Sequence, residues 1–307
     1  MTRRRPGLGI ALVLAMAACF AALDNSVRWL GAALPVLVIL SVRYAFQALA
    51  MTAWLAVDPK HGFRSAHPRF QALRGALLLA TSGFSFFGVQ HMPVPEFTAI
   101  NMLTPVLVTL MAGWFLGERV SRLRWLLVVG AFAGALIVIR PGSGVFGWAV
   151  LFPLGGALTY ASFQVLTSRM AALENPYTTH FWTGFTGTVI LLPVLLAGPV
   201  DAVGALNAAT PAQWGWMALI GLLGTGGHLM LILAMGMAPT STLMPFVYTQ
   251  IGAAALFGWL LFRHLPDGWA WVGMAVIAAC GAGSAWLNLK GTAPKPSSAV
   301  GADTIAD

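Results

Sequence analysis

Residues Pro93 to Pro141 read PVPEFTAINMLTPVLVTLMAGWFLGERVSRLRWLLVVGAFAGALIVIRP, two apolar blocks on either side of the short charged segment GERVSRLR. Each block runs to about 20 residues, and at about 1.5 Å of rise per residue a helix of that length crosses a hydrocarbon core about 30 Å thick. The stretch reads as a membrane hairpin.

The rest of the chain has the same character. Of 307 residues, 58% are hydrophobic and 8% charged, whereas soluble domains carry about 25% charged residues. Such a chain cannot solvate its own surface, so the class is a polytopic membrane protein in a lipid bilayer. The net charge of +8 sits in short basic clusters between apolar runs, the positive-inside pattern, and no nucleic-acid partner is expected. Cys19 and Cys280 lie inside apolar runs without a C-x-x-C pair and read as small buried hydrophobes. Arg3 to Arg5 before the apolar run at Leu8 resemble the start of a secretory signal, and Met16-Ala-Ala-Cys19 a lipoprotein cleavage box. The box lacks the usual Leu three residues before the Cys, and the remaining chain is equally apolar. The segment is therefore read as an uncleaved first helix.

Apolar runs between polar, Pro and Gly punctuation give ten spans, near 8–30, 35–57, 74–91, 95–116, 122–140, 146–168, 177–197, 212–236, 241–262 and 268–288. A cytoplasmic N-terminus (1–7) precedes them, and a polar tail (290–307), expected to be disordered and cytoplasmic, follows. With the N-terminus inside, 13 of the 17 Lys and Arg residues fall on cytoplasmic segments. Both termini are thus expected on the cytoplasmic side of an inner membrane.

The chain also repeats. A shift of 141 residues aligns Arg28 with Arg169 and Pro35 with Pro176. A shift of 146 aligns Pro93 with Pro239, Gly75 with Gly221, and the hairpin end WFLGERV with LLFRHLP. Two five-span halves, 8–140 and 146–289, must face opposite ways because five is odd. The fold expected is an all-α integral membrane protein, ten transmembrane helices as two inverted five-helix repeats, the arrangement of secondary transporters with a site near midplane.

Residues 8–289 resemble the drug/metabolite transporter superfamily of EamA type. The resemblance is most specific in PVPEFTAINMLTPVLVTLMAGWFLGERVSRLRW with GAFAGALIVIRPG, and in YTQIGAAALFGWLLFRHLPDGWAWVG; Arg43-Tyr44 before Ala45 and Leu73-Arg74-Gly75 add to it. It implies a ten-helix bundle with a central cavity that moves small metabolites across the cytoplasmic membrane. Two positions depart from the family: His264 stands where a Glu like Glu118 is usual, and Arg28 where a Lys is common in the first span.

Charges inside a membrane cost a few kcal/mol each, so their positions carry information. Asp24 and Arg28 are four apart with the acid first; they read either as a mutually neutralising helical pair or as lining of the substrate path, with a role in coupling. Arg43 lies about 12 Å into the second span at helical rise, close to midplane, and needs a structural partner or an anionic substrate. Glu96 either favours the start of the fourth span or faces the cavity with Arg43 and Asn101, an amide that must bond another helix or substrate. Tyr160 and Gln164 share a helix face. His180 and His228 are candidates for substrate contact or proton coupling, against helix-to-helix hydrogen bonds. Tyr248 and Gln250 complete the substrate-binding candidates. Glu118 reads as a structural turn residue. Gly130 and Gly134 form a G-x-x-x-G face open to two readings, a homodimer interface or packing against the small residues of the tenth span.

The sequence has neither G-x-x-x-x-G-K-[ST] nor H-E-x-x-H, and Asp24 is the one aspartate well within a span. An intramembrane enzyme, a metal centre and a cofactor are not expected, and a non-transporting sensor or assembly partner would need a soluble domain that the pattern lacks. The expected function is a secondary transporter for a small organic solute. Among substrates of the resembling family are amino acids, sugars, S-adenosylmethionine and riboflavin-like vitamins. The runs around Asp24 to Arg43 and YTQIGAAALFGWLLF look closer to uptake carriers than to amino-acid exporters. Arg43 and Arg28 would suit an anion, the aromatic residues a planar ring; import or export stays open.

Overall fold

The computed structural model describes residues 6–57, 62–116, 122–140, 145–170, 173–237, 243 and 246–291. The GERV turn with Glu118, Pro239 and nearly all of the 290–307 tail lie outside these residues. Among the described residues the chain is all helical: α1 (Pro6–Leu30), α2 (Val36–Val57), α3 (Pro68–His91), α4 (Val94–Asn101), α5 (Thr104–Leu116), α6 (Arg122–Ile139), α7 (Leu151–Met170), α8 (Pro176–Ala197), α9 (Ala202–Ala208), α10 (Pro211–Met237), α11 (Thr249–Phe262) and α12 (Gly268–Gly291), with a 3₁₀ turn at Gly147–Val150 before α7.

Local chemistry sets these boundaries. Asn175 caps α8 by accepting from the Tyr177 N–H at 2.9 Å with Pro176 at the first helical position, and Asp201 caps α9 through the Gly204 N–H. Thr210 and Gln213 exchange hydrogen bonds in a capping box before α10, and Asp267 receives the Ala270 N–H at the start of α12. Each device satisfies N–H groups that have no partner within their own helix.

Among the described residues, six helices are long and apolar enough to cross a membrane, and Val94–Val108, Trp125–Ile139, Thr249–Phe262 and Gly268–Gly283 are shorter apolar helices. Leu49, Leu126, Leu196 and Trp269 point outward with more than half of their surface uncovered, the face a bilayer would cover.

Four details differ from the sequence reading. The third helix starts at Pro68, not near 74, because a proline at N1 and a polar first turn open it. Arg74 therefore sits well inside a helix. The fourth span is broken: α4 ends at Asn101, Met102 and Leu103 form a turn, and α5 resumes at Thr104. A matching interruption falls at Tyr248, between helical residues 246–247 and α11. The small helix α9 has no apolar run long enough to announce it.

Main packing partners lie across the halves. α1 packs on α10 and α11, α7 on α3 and α5, α2 on α8 and α10, and α8 on α2 and α3. α6 packs on α12, with Gly130 against the Cys280 sulfur and Gly134 against Ile277 and the Gly273 carbonyl. The G-x-x-x-G face is thus used in packing within the chain.

At one end, the loop before α3 is pinned to the start of α8. Glu174 accepts from the Ser65 hydroxyl at 2.6 Å and the His67 N–H at 2.9 Å, Thr178 donates to the Gly62 carbonyl, and the Trp182 indole donates to the Phe63 carbonyl. Burial pushes the Glu174 carboxyl up, but the Ser65 hydroxyl and the N–H groups of His67 and Ala66 outweigh it, so it titrates below its ordinary value of 4.5. A depressed carboxylate contributes stability above its unfolded pKa and loses it as pH falls through the folded one. Hydrogen exchange of residues 62–67 is expected to be slow at neutral pH and to rise only below about pH 4.5. Exchange independent of pH between 3 and 7, after correction for intrinsic rates, would remove Glu174 as the pin.

Candidate functional site

Where α1, α2, α3, α7 and α10 meet the break between α4 and α5 and the start of α11, they line a partly open central cavity of about 70 Å³. Both halves of the chain line it. On one wall Asp24, nine-tenths buried, accepts from the Ser85 hydroxyl at 2.7 Å. Beside it the fully buried Arg43 donates through Nη1 to Ser82 at 3.2 Å, and its guanidinium lies 4.6 Å from the Tyr44 ring centre and 6.0 Å from that of Phe86. Tyr44 shares a 3.0 Å hydrogen bond with Ser82, which completes a chain Tyr44–Ser82–Arg43. Among the described residues the Nε of Arg43 has no partner. Among the described residues no carboxylate forms a salt bridge with Arg43; Asp24 acts on it across a longer distance.

The lining also includes Asn101, Met102, Tyr160, His228 and Gln250. The His228 ring lies 4.7 Å from Phe20, tilted 54°. Tyr160 stacks on Phe163 at 5.7 Å and is hydrogen-bonded to Gln164. Two side chambers share lining residues with this cavity. One reaches Gln164, His180 and Arg74, the other runs past Gln164 toward Val247.

The structure brings Asp24, Arg43, Asn101, Tyr160, His228 and Gln250 together and places Gln164 and His180 in the first side chamber. His180 is held there by Gln47, whose Nε2 lies 3.3 Å from Nδ1 and 3.1 Å from the His180 carbonyl. The remaining candidates go elsewhere. Arg28 forms no ion pair with Asp24; it donates to the carbonyls of Val89 and Met92, at 3.0 Å for the former, and lies over the Phe262 ring. The pairing fails because each side chain finds a partner on α3, Ser85 for the acid and the exposed carbonyls at the helix end for the base. Glu96 does not line the cavity: it is buried at the end of the bundle, with Oε1 3.1 Å from His264 Nε2. Tyr248 also falls outside the cavity, its hydroxyl packed against Gly281, where a Cβ would come within 1.8 Å.

Several lining residues escaped the sequence reading. Ser82 and Ser85, three apart on α3 in TSGFS, hold the two charges, and that spacing on an otherwise apolar helix was the available signal. Arg74, expected as a cytoplasmic-side charge at the start of the third span, is fully buried and donates to Thr167 at 2.7 Å, the Thr179 carbonyl at 3.0 Å and Thr183 at 2.7 Å, over the Phe163 ring. It clamps α3 to α7 and α8. Among the described residues no cluster of His, Cys, Asp and Glu could hold a metal ion.

Comparison with known proteins agrees with this architecture. The chain is 32% identical over 190 residues to a riboflavin transporter of Rhizobium johnstonii, covering 62% of this chain and 61% of that one. It is 27% identical over 266 residues to a riboflavin transporter of Brucella anthropi, covering 85% and 93%, and 23% identical over 263 residues to an S-adenosylmethionine uptake transporter of Rickettsia bellii, covering 85% and 87%. A solved crystal structure superposes with a TM-score of 0.62 over 94% of this chain and 98% of its own, at 18% identity, a likeness of fold. The pattern of one family, the EamA-like transporter family, matches residues 7–140 and again 147–283. With both halves matched, the chain belongs to the EamA-like transporter family.

Proposed function

We propose that the protein is a secondary transporter that takes up a planar, heteroaromatic metabolite of the riboflavin type by alternating access across the inner membrane. The observation that carries this reading is the central cavity, which draws its lining from both halves and combines ring surfaces with a balanced pair of charges. Asp24 and Arg43 face the same space with opposite sign, so the site favours a neutral ligand over a sulfonium cation. Arg43 would meet a carbonyl or other negatively polarised oxygen; Phe20, Tyr160 and His228 would stack on the ring.

The reading includes ten crossings, two inverted repeats and both termini in the cytoplasm. Exchanging the halves maps the main contacts onto themselves: α1 on α10 and α11 becomes α7 on α3 and α5, and α2 on α10 becomes α8 on α3. Gly75 of α3 meets Thr186 of α8, and its counterpart Gly221 of α10 meets Phe46 of α2. The end of α1 lies beside Met92 through Arg28, and the start of α7 beside His91 through Trp148. The first helix thus finishes where its counterpart begins, which supports inversion. The interruptions at Met102 and Tyr248, related by the 146-residue shift, match the discontinuous helices that form midplane sites in transporters.

Purified protein in liposomes is expected to give saturable riboflavin uptake under imposed solute or proton gradients, and weaker uptake of S-adenosylmethionine. Flux no greater than in protein-free vesicles, for every planar solute and gradient tried, would end the proposal.

A further inference from the structure

Carboxamide side chains within the bundle divide into two groups. Asn25 donates to the carbonyls of Ala21 and Ala254, Gln47 to His180, Gln71 to Thr179 and Gln90 to the Val27 carbonyl. Gln164 is bonded to Tyr160. The first four amides tie helices together, and Gln164 is bonded within α7. Among the described residues, the side chains of Asn101 and Gln250 make no hydrogen bond to protein, and both line the central cavity. Gln250 is 6% exposed. An amide in a membrane interior without a partner is unfavourable, and helix-to-helix bonding, its ordinary use, is not what these two do.

Their placement pairs them. Asn101 is the last residue of α4 and Gln250 the second of α11, one beside each helix interruption and one from each half. The ring surfaces of Phe20, His228 and Tyr160 lie in the same cavity. A primary amide presents an acceptor oxygen next to an N–H donor, the complement of a ring edge in which C=O and N–H adjoin.

Building on the transporter reading, we infer that Asn101 and Gln250 recognise the hydrogen-bonding edge of the transported ring, and that the substrate class is planar heterocycles with adjacent ring carbonyl and N–H groups, as in pyrimidinediones and lactams. The aromatic walls hold the ring plane and accept many rings; the amides select among them. N-alkylation of that edge removes the donor that an amide oxygen would accept from, and a purely hydrocarbon ring removes the acceptors as well, so either is disfavoured.

The test uses the full chain in detergent, with riboflavin and 3-methylriboflavin, which differ by one methyl group on the edge nitrogen, followed by quenching of flavin fluorescence. The wild type is expected to bind riboflavin about tenfold or more tightly than the methylated ring, in line with the discrimination of a bidentate amide contact. In Asn101→Leu and Gln250→Leu the ratio is expected to fall toward one, with affinity for 3-methylriboflavin little changed. A merely structural role would weaken both probes equally and keep the ratio. Equal binding of both probes by the wild type, or an unchanged ratio in both variants, overturns the inference and leaves transport standing. Binding of neither probe by folded wild type removes the flavin reading and this inference together.

Discussion

Riboflavin uptake by Arg43→Ala is expected to fall by about 10- to 100-fold, with the folded protein still recoverable from the membrane. A hydrogen bond to a charged group contributes about 1.5–3 kcal/mol, and the substitution removes the cavity's cation. It also leaves Asp24, held by Ser85 alone, as an uncompensated carboxylate facing the ligand. Arg43→Gln keeps a donor for Ser82 but not the charge, and should recover little. The discriminating variant is the double change Asp24→Asn with Arg43→Gln, which restores electrical balance. If the two groups matter chiefly as a balanced pair, the double variant transports better than Arg43→Gln alone. Losses that simply multiply would show that the groups act independently. Thermal melting of each variant separates lost function from lost fold.

Much of this arrangement could be read from the sequence because hydrophobic length is a coarse and robust signal. The two-half pattern followed from run lengths and proline spacing, and both halves carry the family's pattern; the break after Asn101 inside the Pro93 to Pro141 stretch did not. Arg43, Asp24, Asn101 and Gln250 could be picked out because a polar group in an apolar run stands out. What could not be read was which of these groups find one another. Asp24 and Arg28 look like a pair on a helical wheel, yet Ser85 and the end of α3 offer each a partner from another helix. Glu96 is adjacent in sequence to cavity residues, but the turn after α11 brings His264 to it at the end of the bundle. Arg74 was hidden by its neighbours: a basic residue near a polar loop looks like a topology signal, and only the Thr residues of α7 and α8 make its burial tolerable. Tertiary partners, not periodicity, decide such cases.

Gly187→Val is expected to impair transport as severely as loss of the cation, although residue 187 does not line the cavity. At this crossing of α8 over α2, a Cβ on residue 187 would come within 2.1 Å of the Tyr44 ring. Tyr44 is fully buried and cannot swing aside without entering the core. Overpacking of this kind costs about 1–3 kcal/mol in stability. The larger consequence is for the site: Tyr44 holds Ser82 at 3.0 Å, Ser82 receives Arg43, and the Tyr44 ring underlies the guanidinium at 4.6 Å. A displaced ring releases both contacts and lets Arg43 leave its position opposite Asp24. Gly187→Val should therefore lose both melting temperature and riboflavin affinity. Adding Tyr44→Ala makes space for the new methyl groups, so the double variant should regain stability while transport stays low, because the ring that positions Arg43 is gone. Recovery of stability and transport together would show that Tyr44 only fills space. Loss of stability with affinity untouched would show that Arg43 is held without it.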